Sequence, residues 1–136
     1  MTAETKWVRL AWERGLVFRG GAPGMPEAVI DGDNVEGPGP MLTLLLAAAA
    51  CSGSDLVVIL EKMRVALREL RIDVSGVRRE QEPRRYTEIR FEFRLAGEGL
   101  DETRARRAID LSLEKYCSVV ASLASDIKIT YGLTLA

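Results

Sequence analysis

Hydrophobic and polar positions alternate in short runs along the first forty residues. Residues 6–12, "KWVRLAW", alternate between two faces, with Val8, Leu10 and Trp12 together on one of them, which is the period of a β-strand. "ERGL" then indicates a turn, and "LVFR" indicates the returning strand of a hairpin. "EAVIDGD", residues 27–33, is typical of a short third strand, and the "DGDNVEGPGP" that overlaps its end is typical of a linker. These runs predict a small sheet at the N-terminal end.

The longest predicted element is a helix from Met41 to about Leu70, which follows two prolines of the linker. Its first half is apolar on every side, so it must be covered all round. Its second half is amphipathic, with apolar side chains at helical spacing: Leu56, Ile59, Leu60, Met63, Leu67 and Leu70. Gly53 lowers the helix propensity and indicates close packing or a bend at that point.

Two strands, a second helix and a last strand complete the predicted order. "RIDVSGVRRE" and "RYTEIRFEFRLAG" alternate with the β period, and "QEPRR" supplies the turn between them. Asp101 is the predicted N-cap of a helix that reaches about Leu123. Its predicted core stripe is Ala105, Ala108, Ile109, Ser112, Tyr116, Val119, Val120 and Leu123. "IKITYGLTLA" is the last strand, and the order predicts an α+β protein with a largely antiparallel sheet.

Length and composition limit the class of protein. The 136 residues suffice for one core, so we expect a single domain over residues 1–136. With 47% hydrophobic residues, 29% charged residues and a net charge of -1, no overall field draws the chain to nucleic acid or to an anionic membrane. The N-terminus lacks a secretory signal pattern, and polar residues interrupt the apolar run at 40–60. We therefore predict a cytoplasmic protein with no nucleic-acid and no membrane partner.

The available reactive side chains narrow the chemistry further. The chain has no histidine, which removes Cys-His and Ser-His nucleophile pairs and the usual zinc sites. Its two cysteines, Cys51 and Cys117, are too few for a structural zinc site. In a reducing compartment they are expected to be free, catalytic or redox-active rather than a permanent disulfide. A free cysteine in a helix rich in alanine and leucine is most often a small buried apolar residue, so both interpretations stay open.

The rotation of about 100° per residue along a helix places neither thiol toward the predicted core. Cys51 lies about 130° from the centre of the core stripe of its helix, and Cys117 lies about 120° from that of its own. The neighbours of Cys51 on this second face are apolar: Leu44, Ala47 and Ala48. A single domain of this length has little left to cover them, so we predict a homodimer with the long helices near its centre.

Four segments carry a family resemblance. They are the "GPGPM" that precedes the apolar helix, "LLLAAAACSGSDLVVILEKMR", "VSGVRREQEPRRYTEIRFEF" and "AIDLSLEKYCSVVASL". In this order they resemble the OsmC/Ohr superfamily, and most of all its YhfA-like branch, over nearly the whole chain. The resemblance implies an OsmC-like fold, in which a curved antiparallel sheet packs with two long central helices in an intertwined homodimer. It also implies active sites at the subunit interface.

Members of that superfamily reduce organic hydroperoxides or hydrogen peroxide, so the resemblance implies a peroxidase of oxidative stress defence. Cys51 would be the peroxidatic thiol, which attacks the O–O bond as a thiolate and becomes a sulfenic acid. Cys117 would be the resolving thiol, which condenses with it to a disulfide that an external dithiol reduces. This chemistry needs no metal and no organic cofactor.

In the superfamily, an arginine from the N-terminal strands stabilises the thiolate, and a glutamate just after the proline that opens the helix holds the arginine. Here that proline is followed by "MLT", which contains no carboxylate. Arg14 and Arg19, on either side of the hairpin turn, are the candidate thiolate-stabilising residues. Asp55, one helical turn after Cys51, is the candidate orienting carboxylate, with Glu114 as the alternative.

Other interpretations remain open at this point. One is a non-catalytic OsmC-like protein that binds a small hydrophobic ligand at the dimer interface, with vestigial cysteines. Another is a general thiol-disulfide exchange protein, against which the absence of a C-x-x-C pair counts. Arg14 and Arg19 could be ordinary exposed residues, and Asp55 could be a partner of Lys62 or of a backbone group.

Overall fold

The computed structural model describes residues 3–136, which pack as two compact units. The first unit ends at Leu44 and the second begins at Leu45, so one helix belongs to both. The elements, in chain order, are β1 (Arg9–Arg14), β2 (Val17–Gly21), β3 (Ala28–Asp31), α1 (Pro40–Lys62), β4 (Ala66–Arg78), β5 (Tyr86–Glu98), α2 (Glu102–Leu111), a π-helical segment (Ser112–Tyr116), α3 (Ser118–Ala121) and β6 (Lys128–Leu135). The predicted α+β class is confirmed, and the single domain stays a prediction.

The first unit contains a three-stranded sheet in the order β1–β2–β3, with both pairings antiparallel. Gly15, at φ 49°, lies in the turn between β1 and β2, where the left-handed backbone favours glycine. The predicted hairpin and third strand are therefore confirmed. All six residues of β1 are exposed, so this strand buries neither of its faces within one chain.

The linker after β3 folds around the carboxylate of Asp31, which is only 2% exposed. This carboxylate accepts hydrogen bonds from the backbone N–H groups of Asp33, Val35 and Glu36, at 2.8, 3.1 and 2.9 Å. The bonds from Glu36 and Asp33 contribute most to holding the pKa of Asp31 below its usual value, because they stabilise the ionised form. The loop that leads into α1 is thus organised by a buried negative charge.

The second unit contains a sheet in the order β4–β5–β6. Alternate residues of β5 point into the core and are at most 1% exposed: Ile89, Phe91, Phe93 and Leu95. β4 pairs with β5 in antiparallel orientation, whereas β6 lies parallel to β5. The parallel pairing follows from the helical connection between β5 and β6, which returns the chain to the same end of the sheet. The prediction of a largely antiparallel sheet holds for the other three strand pairings among residues 3–136.

α1 ends at Lys62, and the chain enters β4 where the helix was predicted to continue. Arg64 has a left-handed φ of 62°, and the N–H of Val65 donates to the carbonyl five residues earlier at 3.0 Å. This arrangement is a Schellman motif, which usually has glycine at the left-handed position. The hydrophobic spacing gave no such stop signal, so the prediction that Leu67 and Leu70 belong to the helix is wrong.

The buried stripe of α1 differs from the predicted one for the same reason. It consists of Leu45, Ala48, Ser52, Leu56 and Leu60. The predicted rotation places Ala48 on the opposite face, because the predicted core direction includes Leu67 and Leu70, which lie in β4. The helix continues through Gly53, where an added methyl group would come within 3.4 Å of Cδ1 of Ile72 on β4. Gly53 therefore marks the packing of α1 against the second sheet.

The second predicted helix begins as expected but does not run unbroken to Leu123. The side chain of Asp101 caps α2 by accepting from the N–H of Arg104 at 2.8 Å. After the π-helical segment, Cys117 has an extended backbone with φ -70° and ψ 101°, and the short α3 follows. The predicted core stripe already fails at Tyr116, the last residue of the π-helical segment, which is 49% exposed. Neither glycine nor proline marks the break in the sequence.

α1 is long and apolar enough to cross a membrane by length and composition alone, with a mean hydropathy of 2.0 over its most apolar window. Core helices of soluble proteins pass the same test. Only 28% of that window is buried within the chain, so much of the apolar surface of α1 lacks cover from its own polypeptide. The helix also carries two polar groups, the buried Ser52 and the hydrogen-bonded Asp55.

Candidate active site

Cys51 lies in the interior of α1, and Cys117 lies at the break between the π-helical segment and α3. The break follows from the wider turn before it, in which the N–H of Cys117 donates to the carbonyl of Ser112 at 2.7 Å. An extended residue at this position cannot continue a helix, so Cys117 becomes the N-cap of α3. The two thiols are thus presented by very different backbones.

The structure brings three of the five predicted site residues together. The sulfur atoms of Cys51 and Cys117 and a carboxylate oxygen of Asp55 all lie within 4.8 Å of one another. Both thiols are free. Cys117 is 3% exposed, and Cys51 is half-buried. The face of α1 that holds Cys51 is therefore covered in part by the same chain, whereas the helical rotation predicts that a second copy covers it.

The environment of Cys117 keeps this residue a thiol at neutral pH. Burial raises the pKa of the Cys117 thiol to about 11, and the neighbouring Cys51 raises this pKa as well. Hydrogen bonds from the backbone N–H groups of Val120 and Val119 act in the opposite direction and are outweighed. Cys117 is thus held in its protonated form until a base or a reaction partner removes the proton.

Two serines connect Asp55 to the protein interior, and both are fully buried. The hydroxyl oxygen of Ser112 lies 2.9 Å from that of Ser52 and 2.9 Å from Oδ2 of Asp55. Ser112 has one hydroxyl proton and an ionised carboxylate only accepts, so Ser112 donates to Asp55 and accepts from Ser52. The sequence placed Ser112 on a core stripe without assigning it a role. The available signal for this contact was a serine on the buried side of each of two helices, Ser52 and Ser112.

A pocket of about 510 Å³ has Asp55 in its wall. Its apolar lining includes Ile59, Met63 and Leu111, and two cationic side chains, Lys62 and Arg107, also line it. A volume of this size is in the range of pockets for small organic molecules. Sequence reasoning missed Arg107, because it lies outside the predicted core stripe and shares no motif with the cysteines.

The two candidate arginines lie in the first unit, where carboxylates hold both of them. Arg14 pairs with Glu36 and, at 3.2 Å, with Glu13, and Arg19 pairs with Glu13 as well. The hydrogen bond to Glu36 is the main cause that holds the pKa of Arg14 above its usual value. Among residues 3–136, the ion pairs of these arginines are thus with glutamates that the sequence did not single out, one of them directly before "GPGP".

The two carboxylates proposed from the sequence are placed differently. The hydrogen-bond partner of Asp55 is the hydroxyl of Ser112, and Lys62 is a neighbour in the pocket wall. Glu114 is exposed on the π-helical segment. The geometry thus associates Asp55 with the thiols, whereas the carboxylates that accompany Arg14 and Arg19 are glutamates of the first unit.

Comparison with known proteins identifies a family and several relatives that this chain resembles. The family described as OsmC-like protein matches residues 31–132. Protein YhfA of Escherichia coli (strain K12) is 37% identical over 125 residues, which cover 91% of this chain and 93% of YhfA. The crystal structure of a hypothetical protein from Aquifex aeolicus VF5 is 30% identical, with a TM-score of 0.84 over 98% of this chain and 99% of the other.

A more distant likeness concerns the fold alone. The organic hydroperoxide resistance protein OhrB of Bacillus subtilis is 17% identical, with a TM-score of 0.63 over 96% of this chain and 98% of OhrB. The matches to the family, to YhfA and to these structures confirm the resemblance and the OsmC-like fold that the four sequence segments predicted.

Proposed function

Because this chain belongs to the OsmC-like family, we propose that it is a thiol-dependent peroxidase that reduces organic hydroperoxides through Cys51 and Cys117. The observation that carries this proposal is the distance between the two sulfur atoms, which is within 4.8 Å for cysteines 66 positions apart in sequence. The name of OhrB, an organic hydroperoxide resistance protein, supports the choice of substrate class.

The different exposure of the thiols assigns their roles in this proposal. Cys51 is half-buried and can be reached from outside, whereas Cys117 is 3% exposed. The thiolate of Cys51 attacks one peroxide oxygen, so an S–O bond forms while the O–O bond breaks. The leaving alkoxide takes up a proton and departs as an alcohol. Cys51 is thereby oxidised to a sulfenic acid, and the peroxide is reduced.

Cys117 then completes the cycle. Its sulfur attacks that of Cys51, so an S–S bond forms and the sulfenic oxygen leaves as water after taking up the thiol proton. The two sulfurs must approach from within 4.8 Å to the bond length of about 2.05 Å. An external dithiol restores both thiols by disulfide exchange, and the cycle uses neither a metal nor an organic cofactor.

Arg14 is the cation that we propose for stabilising the Cys51 thiolate, with Arg19 as the alternative. A cation near a thiol lowers the thiol pKa and raises the fraction of reactive thiolate. Arg14 is held by Glu36 and Glu13, which would take over the role of the glutamate missing from "MLT".

We expect Arg14→Ala to slow the oxidation of Cys51 by at least tenfold, and Arg19→Ala to slow it less. Stopped-flow measurement of thiol loss separates the two.

The proposed assembly is a cytoplasmic homodimer. Large apolar side chains of the first unit are exposed in the single chain: Trp7, Val8, Leu10, Trp12 and Leu16 are each at least 50% exposed. An apolar surface of this kind on a soluble protein marks an interaction site. A second copy of the chain would cover it and would also cover the uncovered part of α1.

The experiment that tests the peroxidase uses the reduced protein without oxygen. It is mixed with one equivalent of cumene hydroperoxide or t-butyl hydroperoxide, followed by intact mass spectrometry and thiol counting. We expect both thiols to disappear within seconds, and the mass to fall by two hydrogen atoms. In Cys117→Ser, the mass should instead rise by one oxygen atom, as a trapped sulfenic acid requires.

The matched control is Cys51→Ser, which retains the Cys117 thiol. In this variant we expect that thiol to survive the same treatment, because the protonated Cys117 is a poor nucleophile. Thiols of the unaltered protein that persist for many minutes would contradict the peroxidase. Equal oxidation of either cysteine in the absence of the other would contradict the assignment of roles.

The pocket favours one alternative function, the binding of a small hydrophobic ligand. It combines an apolar lining with the cations Lys62 and Arg107, an arrangement suited to an apolar molecule with an anionic end. A ligand of this class that binds with equal affinity to the unaltered protein and to Cys51→Ser, while both thiols of the unaltered protein resist peroxide, would favour this alternative.

A further inference from the structure

The thiols and Asp55 form a set of possible metal ligands that the peroxidase chemistry does not use as such. Cys51 and Asp55 are four residues apart on α1 and therefore lie on one face of the helix. Cys117 approaches this face from the break after the π-helical segment. The three ligand atoms, two sulfurs and one oxygen, lie within 4.8 Å of one another. One ion could thus contact all three atoms.

The kind of ion follows from the donor atoms. Two thiolates and one carboxylate suit Zn²⁺, since thiolate sulfur is a soft ligand, whereas Mg²⁺ and Ca²⁺ prefer sites made of oxygen. Zn–S bonds of about 2.3 Å in a tetrahedron place two sulfurs about 3.8 Å apart. Two sulfurs that lie 4.8 Å apart, the upper limit here, would therefore need to approach each other by only about 1 Å to bind the ion. Two thiols were too few for a structural zinc site, but the carboxylate adds a third ligand and leaves a fourth position open.

The surroundings of Asp55 support this use of its carboxylate. Its Oδ2 accepts the hydrogen bond from Ser112, which fixes the carboxylate and leaves its other oxygen for an ion. Ser112 is in turn fixed by Ser52. Asp55 also lies in the wall of the 510 Å³ pocket, which provides a path for an ion to enter from solvent. The ligand set therefore has the second layer of hydrogen bonds and the access that metal sites need.

We propose that the reduced protein binds one Zn²⁺ through Cys51, Asp55 and Cys117, and that the bound ion protects both thiols from peroxide. Binding releases the protons of both thiols to solvent, and no electron is transferred. Each Zn–S bond draws electron density from the sulfur and lowers its nucleophilicity, so zinc binding slows the attack of both thiols on a peroxide. The binding rests on the ligand geometry alone, whereas the protection also rests on the proposed peroxidase function.

The test titrates Zn²⁺ into the reduced, metal-free protein in competition with a chromophoric chelator. We expect one Zn²⁺ per chain, and Cys51→Ser or Cys117→Ser to weaken binding by about 100-fold or more, since each removes a thiolate. Asp55→Asn and Ser112→Ala should weaken it by about 10- to 100-fold. The matched control is Glu61→Gln, an exposed carboxylate of the same helix α1, which should leave the affinity unchanged. Co²⁺ in place of Zn²⁺ should show thiolate-to-metal charge-transfer absorption, and this absorption should be weaker in either cysteine variant.

The outcomes separate this proposal from the peroxidase. Absence of stoichiometric binding by the folded, reduced protein would overturn the zinc site, and so would an affinity that neither cysteine variant reduces. Peroxide treatment of the metal-free protein tests the peroxidase independently. If the metal-free and the zinc-loaded protein react with peroxide at the same rate, the proposed protection is refuted. Zinc binding and peroxide reduction would both remain in that case.

Discussion

The two sheets of this chain differ in how far they bury their leucine side chains. Leu95 on β5 is fully buried, whereas Leu10 on β1 is 58% exposed. The second sheet packs its aromatic and aliphatic side chains against helices of the same unit, while the most buried residue of the first sheet is Asp31. The unit that holds the thiols therefore contains its own core, whereas the unit that holds Arg14 and Arg19 has an exposed apolar surface.

The largest expected effect tests the core of the second unit. Leu95→Ala should lower the free energy of unfolding by about 2–5 kcal/mol, because it leaves a cavity beside Phe93 and its neighbours. Leu135 is its cross-strand partner on β6 and is 40% exposed, so Leu135→Ala should lower it by less than about 1 kcal/mol. Urea denaturation followed by circular dichroism measures both. Equal losses would mean that the two strands are covered to the same extent.

The next effect concerns the apolar surface of the first unit. If a second copy covers β1, then Leu10→Glu places a charge in the interface and should weaken the dimer by about 2 kcal/mol or more, roughly 30-fold in dissociation constant. Sedimentation velocity over a range of protein concentrations measures this shift. Val35→Glu is the control, because Val35 is 81% exposed on a loop outside the strands. An unchanged sedimentation coefficient in Leu10→Glu would exclude β1 from the interface.

A smaller effect tests the buried hydroxyl of the second unit. Ser112→Ala removes the donor to Asp55 and the acceptor of Ser52, so it should lower the free energy of unfolding by about 1–2 kcal/mol. Ser122→Ala removes a hydroxyl that bonds only to a local backbone carbonyl and is exposed, and should cost less than about 0.5 kcal/mol. Thermal denaturation of the metal-free proteins provides the comparison. An unchanged free energy of unfolding in Ser112→Ala would show that the serine pair does not stabilise the fold.

The last effect depends on pH and comes from the buried carboxylate of the first unit. The pKa of Asp31 is lowered in the folded state, so its contribution is fully present above about pH 4 and is lost as the pH falls through the folded value. We expect the unfolding free energy of the unaltered protein to fall more steeply below pH 4 than that of Asp31→Asn. Asp33→Asn, an exposed carboxylate of the same loop, should retain the steep fall. Parallel pH profiles of all three would contradict the role given to Asp31.

Local sequence signals predicted the elements that are stabilised locally. The alternation in β5 identified its buried face, and Asp101 marked the start of α2 because an N-cap acts within a few residues. The parallel pairing of β6 with β5 could also be predicted from the sequence, because two strands joined by a helical connection usually pair in parallel.

The end of α1 and the break at Cys117 could not be predicted, for two different reasons. At Arg64, an ordinary residue takes a left-handed conformation that glycine normally signals, so tertiary structure overrides the local preference. The wide turn before Cys117 has no composition of its own. Both cysteines and Asp55 were chosen from the sequence, but the hydrogen bond from Ser112 to Asp55 and the ion pair between Arg14 and Glu36 each join segments that are distant in sequence.

The apolar surface of α1 has a consequence for synthesis of the protein. Its packing partners on β4 and β5 follow it in the chain, with about 36 residues between the end of α1 and the end of β5. At ribosomal rates of about 5–20 residues per second, a new chain carries this helix without its sheet for roughly 2–7 seconds. Hairpins form in microseconds once both strands exist. The interval during which the most apolar helix is open to aggregation is therefore set by translation rather than by folding.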